Sequence, residues 1–298
     1  MSKNLKISSY NLVYNLIVII WIASYPKSGN TWIRSLLSSY LFSVDGKFDH
    51  NLIHKIHEFP ERHILKKYID SKNFHNLKEV SKHWIDVQNY INIFDLYKYN
   101  KDSVKFLKSH NALCNINGNN FTNEKNTIAA IYVVRDPRNV ILSMSNHFDC
   151  SQEESFKIIT NKNYIIAPEM DNGKIPATFV SSWDFHYNSW KINNKINKII
   201  IKYEDMLKNT FNCFQKVINF LSKISKTENN KEKLINAVNS SEFSKLKEHE
   251  EKYGFAMGQK NKFFYLGKKN KWENLLNDKI EKKVRERFNK EMKELEYI

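Results

Sequence analysis

The run Ile17-Val18-Ile19-Ile20-Trp21-Ile22-Ala23 leads into Tyr25-Pro26-Lys27-Ser28-Gly29-Asn30-Thr31-Trp32-Ile33-Arg34 and then Ser35-Leu36-Leu37-Ser38-Ser39-Tyr40-Leu41. A short apolar run, a tight polar turn and a helical pattern read as strand, loop and helix. An α/β protein builds an anion pocket in this way, because N–H groups without intrahelical partners point out of the helix start. Lys27 adds a full positive charge. Ser28, Asn30 and Thr31 add short polar groups, and Gly29 lets the backbone approach closely. The G-x-x-x-x-G-K-[ST] order of a Walker A loop is absent.

The chain has 298 residues, 41% hydrophobic and 27% charged, which places it in the soluble globular class with a sizeable core. A net charge of +15 favours an anionic partner, although the excess is spread through a Lys-, Asn- and Ile-rich chain and part of it reads as solvated surface. Cys114, Cys150 and Cys213 are far apart and match neither a disulfide framework nor a metal site, which suits a reducing, cytoplasmic location. Lys3 and Lys6 ahead of the apolar stretch 12–23 could pass for a signal peptide. Asn15 interrupts that stretch, which is shorter than the ~20 residues of a spanning helix. Cleavage after Ala23 would also remove the strand ahead of the anion loop. The expectation is an N-terminal extension over 1–16, one domain over 17–298, and no membrane span.

Four short β-rich runs recur, at 17–24, 104–109, 128–134 and 198–203. Their near-continuous apolar character predicts strands covered on both faces, hence an α/β fold with a central parallel sheet flanked by helices. A helix is expected after Asp136-Pro137, with Val140, Ile141 and Met144 on one face. Another is expected over 182–193, where Trp183, Tyr187 and Trp190 form a core stripe. A charged helix from Asp278 to about Leu295 has Ile280, Val284, Phe288, Met292 and Leu295 as its seam.

Two further segments carry chemistry. In Val133-Val134-Arg135-Asp136-Pro137-Arg138-Asn139-Val140-Ile141-Leu142-Ser143 a strand ends at Arg135, and Ser143 lies two helical turns beyond, so both could converge on one phosphate. In Phe106-Leu107-Lys108-Ser109-His110-Asn111-Ala112 a histidine stands at a strand's carboxyl end, where open α/β sheets place ligands. Its ordinary pKa suits proton abstraction at neutral pH. The remaining histidines show no metal-ligand spacing, and no metal is expected.

Together these segments resemble the sulfotransferases that use 3′-phosphoadenosine 5′-phosphosulfate (PAPS), in a cytosolic-type domain similar to bacterial members. Residues 25–32 look like the 5′-phosphosulfate loop Y-P-K-S-G-[TN]-T-W. Residues 134–143 resemble the 3′-phosphate site, V-R-[DN]-P-[RK]-[DN]-V-x-x-S, and Lys108-Ser109-His110 the K-[TS]-H catalytic segment. The resemblance implies a P-loop-NTPase-like sulfotransferase fold and transfer of the sulfuryl group to a hydroxyl or amine. His110 would be the general base, Lys27 would assist the leaving group, and Lys108 would steady the sulfuryl oxygens. It implies donor contacts from Lys27, Ser28, Gly29, Asn30 and Thr31, from Trp32 stacked on adenine, and from Arg135 and Ser143. Looser matches add Tyr203 of Tyr203-Glu204-Asp205-Met206 and Phe243 of Ser240-Ser241-Glu242-Phe243. Glu204 and Asp205 read equally as a helix N-cap, the reading preferred for Asp205. The family's R-K-G-x-x-G-x-W loop is altered. Gly267 and Trp272 keep register, Tyr265 and Leu266 replace Arg-Lys, and Lys268, Lys269 and Lys271 could restore charge. How that loop meets the 3′-phosphate is left open.

Two other classes compete. A P-loop-type small-molecule kinase suits the strand–loop–helix but lacks G-K-[ST] and a Mg²⁺ carboxylate pattern. A noncatalytic polyanion or nucleic-acid binder suits the charge and the 15 Tyr, 19 Phe and 6 Trp, yet these aromatics fall at core spacing and no nucleic-acid motif is present. The expected partners are the nucleotide and a small-molecule, glycan or lipid acceptor, with no nucleic acid. The sequence leaves the acceptor and the oligomeric state open.

Overall fold

The computed structural model describes residues 19–93, 104–166, 176–253 and 271–298. Five strands, β1 Ile19–Ser24, β2 His57–Glu58, β3 Lys105–Ser109, β4 Thr127–Val134 and β5 Asn197–Lys202, form one parallel sheet ordered β2-β3-β1-β4-β5. Central β1 is wholly buried. Ile19, Trp21 and Ala23 enter the core on one face, and Ile20 and Ile22 enter it on the other. Burial on both faces is why β1 and β4 read as apolar runs rather than alternating ones, whereas β5 at the sheet edge is mostly half-buried. On the first face Trp21 meets Phe59 and Phe121 edge-on or tilted, at 5.2 and 5.0 Å between ring centres, and its Nε1 donates to Thr127 Oγ1. On the second face Ile33, Leu36 and Leu37 of α1 (Asn30–Phe42) pack with Phe214, Val217 and Leu221 of the helix Thr210–Ile224. Each such side chain contributes about 1.5–3 kcal/mol through burial.

The expected helices are present. α2 (Pro137–Phe148) starts from Asp136, whose side chain accepts from Arg138 N, with Val140, Ile141 and Met144 fully buried. α3 (Trp183–Ile192) buries its aromatic stripe. α4 (Tyr203–Lys208) follows β5 directly. The expected single C-terminal helix is two, α5 (Asp278–Arg287) and α6 (Asn289–Glu294), because Phe288 leaves helical geometry at φ −115°, ψ 23°. The seam survives the break, since Ile280, Val284, Phe288, Met292 and Leu295 are all buried. Strand β2 and two antiparallel two-residue pairs, Asn115–Ile116 with Asn119–Asn120 and Ile165–Ile166 with Thr178–Phe179, are additions to the four expected strands. Two residues are too few to carry a periodicity. The extension 1–16 and residues 17 and 18 of the first expected strand lie outside the described residues.

The C-terminal helices are tied to the start of α2 by Arg138. Its guanidinium is 2% exposed and grips Asp136 through Nε and Nη2. It also donates to the Tyr297 carbonyl and Glu281, and lies 3.8 Å over the Trp272 ring. Asn139 Oδ1 accepts from Trp272 N beside it. Breaking one partner of a buried pair strands the other's charge. Arg138→Met is therefore expected to cost about 3–5 kcal/mol in urea unfolding; a loss below about 1 kcal/mol would refute this clamp.

Candidate active site

Parallel register brings the sequence motifs to one edge. Ala23 pairs with Ser109 and Ser24 with Val133, while Val134 pairs with Lys202 and Lys108 with Glu58. The turn after β1, His110 after β3, Arg135 after β4 and Tyr203 after β5 thus leave the carboxyl ends of neighbouring strands side by side. An open α/β sheet places ligands at this edge.

The turn after β1 is built around two left-handed residues, Lys27 at φ 65° and Gly29 at φ 101°. A Cβ on Gly29 would lie 2.5 Å from Tyr203 Cδ2, so this position excludes a side chain as well as favouring glycine's conformation. Gly29 caps α1 without a side-chain hydrogen bond, leaving the first-turn N–H groups for an external acceptor. Asn30 turns inward, its Nδ2 donating to the Ile22 carbonyl and Ser24 Oγ, which pins the turn to β1. Ser28 is buried, and its Oγ has no partner among the described residues. Thr31 is also buried.

Arg135 joins the second motif to the first. Its Nη1 donates to the Lys27 carbonyl at 2.9 Å, and its guanidinium lies 4.2 Å over the Tyr203 ring. Arg135 Nε, buried, has no partner among the described residues. Burial, then Arg135 and Lys108, lower the Lys27 ammonium from 10.5 to about 7. Lys27 in turn helps burial lower His147, which falls to about 4. His147 stands one turn beyond half-buried Ser143 on α2, so the face carrying both looks toward the turn.

His110 is held in one tautomer. Its Nδ1 lies 2.8 Å from the Ser24 carbonyl, which can only accept, so Nδ1 carries the proton and Nε2 keeps a lone pair. Burial foremost, then Lys108, lower its pKa to about 3, so the ring is neutral across the physiological range. Behind it, His186 Nε2 donates to the His110 carbonyl, and Tyr132 donates to His186 Nδ1. Lys108 Nζ meets Glu58 Oε1 at 2.8 Å. Burial acts to raise Glu58, but Lys108 above all brings it down to about 2. Burial lowers the Lys108 ammonium despite Glu58, consistent with a side chain only 9% exposed.

Trp32 is 5% exposed, packs edge-on to Tyr203 at 5.6 Å, and donates Nε1 to the Ser241 carbonyl. That bond brings the 240–243 segment to α1, with Phe243 half-buried at the start of the helix Phe243–Tyr253. The N-cap reading of Asp205 is corrected. α4 starts at Tyr203 with no side-chain cap, and Glu204 instead accepts from Asp136 N and the Tyr297 hydroxyl. Gly267, Lys268 and Lys269 lie outside the described residues. The sequence reading missed Glu58, Glu204 and His186. His186 could have been found as the polar member of an aromatic helix stripe. Among the described residues no group of three or more His, Cys, Asp or Glu side chains could hold a metal, and no helix is long and apolar enough to cross a membrane.

The family described as Sulfotransferase domain matches residues 19–296. A luciferin sulfotransferase of Photinus pyralis is 26% identical over 204 residues, 68% of this chain and 51% of that protein, so the match spans about half of that relative's length. Retinol dehydratase in complex with androsterone and inactive cofactor PAP has a TM-score of 0.59 at 16% identity, over 94% of this chain and 83% of that one. Mouse sulfotransferase SULT7A1 complexed with PAP gives 0.56 at 16%, over 93% and 85%. At these identities the structural likeness is one of fold.

The close approach of Gly29 to Tyr203 is testable. Gly29→Ala is expected to destabilise the fold by about 1–3 kcal/mol through strained φ and to displace Tyr203. A variant crystal structure with both the turn and Tyr203 unmoved would contradict the steric account.

Proposed function

We propose, from the premise that this chain belongs to the sulfotransferase family, that it transfers a sulfuryl group from PAPS to an acceptor hydroxyl or amine. The observation that carries this reading is the meeting of Lys27, Arg135 and a tautomer-fixed His110 at one sheet edge. The residues fit a multiply anionic nucleotide. Ser28 Oγ and Arg135 Nε are buried without partners among the described residues, α1 opens with an uncapped first turn, and burial followed by neighbouring cations lowers the Lys27 pKa. When bound, PAPS supplies an activated sulfuryl group whose bond to the bridging oxygen breaks as the acceptor's oxygen or nitrogen bonds to sulfur, leaving 3′-phosphoadenosine 5′-phosphate.

In this reading His110 Nε2 takes the acceptor proton, with Nδ1–H fixed on Ser24 to aim the ring. Lys27 and the first-turn N–H groups of α1 neutralise charge on the leaving side. Lys108 serves the sulfuryl oxygens, within reach of Glu58. Arg135 and Ser143 hold the 3′-phosphate, and Trp32, Tyr203 and Phe243 enclose the base. Gly267, Lys268 and Lys269 are proposed to take part in binding the nucleotide. An anion near Lys108 would offset one cause of the low His110 pKa, making the ring a stronger base in the loaded enzyme than in the free one.

Transfer of ³⁵S from labelled PAPS to an acceptor tests the reading. His110→Ala is expected to lower turnover roughly 100- to 10,000-fold while affinity for 3′-phosphoadenosine 5′-phosphate holds; undiminished turnover would remove His110 from the mechanism. Lys27 gives a second test. Its pKa of about 7 means that above neutrality it is mostly unprotonated, and a bound polyanion would draw it back toward its ordinary 10.5. Nucleotide binding at pH 8 should therefore take up protons, and affinity should fall as pH rises from 7 toward 10. Calorimetry in two buffers of different ionisation enthalpy measures this; proton release, or none exchanged, would count against Lys27 at the phosphate.

A further inference from the structure

We infer that the cleft beside Glu58 is the acceptor subsite and that it takes a polyhydroxylated, sugar-like molecule rather than a flat apolar phenol or sterol. The inference rests on the sulfotransferase reading above and deepens it. The cleft has a volume of about 490 Å³, within the ~300–1,000 Å³ typical of ligand sites. Such sites are usually lined by aliphatic and aromatic side chains. Among the described residues this one is lined by Glu58, Glu61, Arg62, His63 and Lys66, together with Pro60 and Pro176.

The cleft shares one lining residue, Glu58, with the catalytic edge. Glu58 pairs with Lys108 in the β2–β3 register, Phe59 N donates to the Lys108 carbonyl, and the Glu58 carboxylate holds Lys108 Nζ. His110 follows two residues after Lys108. The Glu58 charge also acts on the His110 ring, so a molecule reaching past Glu58 would meet the base that takes its proton.

The lining is also fixed in place. Glu61 is bracketed by His57 Nδ1 at 2.8 Å and His63 Nδ1 at 3.1 Å, and the Arg62 guanidinium lies 5.7 Å over the Phe74 ring. Carboxylates, a guanidinium, an ammonium and an imidazole share one wall, so donors and acceptors alternate over a short distance. An apolar acceptor would strip water from these groups and return no hydrogen bonds. A polyol carries hydroxyls that both donate and accept, and it replaces that water group by group. The two proline rings and the carbon stems of the charged side chains supply apolar surface for its C–H face. The group transfer is the one given above, with one hydroxyl delivered to His110 Nε2.

The protein, labelled PAPS and two acceptor panels test this. One panel is methyl glucoside, lactose and myo-inositol; the other is 4-nitrophenol, 2-naphthol and a sterol. The expected result is higher kcat/KM on the polyol panel. Glu61→Gln and Lys66→Met should each raise polyol KM roughly fivefold to tenfold, the effect of one lost hydrogen bond. The kcat and the affinity for 3′-phosphoadenosine 5′-phosphate should hold. Preference for the phenols and sterol, or an unchanged polyol KM in both variants, would overturn the inference while leaving the sulfotransferase reading intact. Failure of the wild-type protein to bind 3′-phosphoadenosine 5′-phosphate in calorimetry would instead overturn that reading, and this inference with it.

Discussion

The hydrogen bond from Arg135 to the Lys27 carbonyl is the joint on which the site depends. Lys27 and Gly29 are both left-handed, so the turn after β1 doubles back and presents its carbonyl inward, where burial without a donor is costly. Arg135 arrives from the end of the adjacent strand, satisfies that carbonyl and stacks on Tyr203 from the next strand. Three strand ends are thereby locked to one another. The arrangement places a guanidinium beside a buried ammonium, a repulsion that adds to burial in lowering the Lys27 pKa. An anion bound beside the two cations would offset that repulsion.

Charge is divided across His110. On the side of α1 stand Lys27 and Arg135, and on the side of β2 stands the Lys108–Glu58 pair. The ring sits between, its proton fixed on Nδ1 by Ser24 and its carbonyl held by His186. A strongly anionic molecule is favoured on one side and a polar, closely neutral one on the other. Under the proposed function this division would suit a group transfer from a nucleotide to a second molecule, because each substrate would meet a wall of its own character.

What the sequence made legible follows from what is local. Strands β1, β3, β4 and β5 are apolar runs ended by polar motifs, and the helix over Trp183–Ile192 is written in Trp183, Tyr187 and Trp190. Because parallel strands end together, correct strand ends were enough to bring Lys27, His110, Arg135 and Tyr203 to one edge. What stayed hidden depends on distant pairing. His57–Glu58 has no apolar signature, so neither strand β2 nor the Glu58–Lys108 pair could be read. His186 stands out in the aromatic stripe as its polar member, but its two side-chain hydrogen bonds go to Tyr132 and His110, 54 and 76 residues away, so its partners could not be read.

Arg138 shows how one motif can serve two ends of the molecule. In Arg135-Asp136-Pro137-Arg138 the proline fixes the first turn of α2, so the two arginines leave the backbone on either side of the helix start. Arg135 faces the anion turn, whereas Arg138 is buried against Asp136, Glu281, Tyr297 and Trp272. Asp136 caps α2 and pairs with Arg138 at once, and Glu204 takes the Asp136 N–H while also binding the Tyr297 hydroxyl. The stretch that presents Arg135 is thus held from behind by the last residues of the chain. The C-terminal helices matter to the site because they set the position of Arg135, without contributing a group to the anion turn.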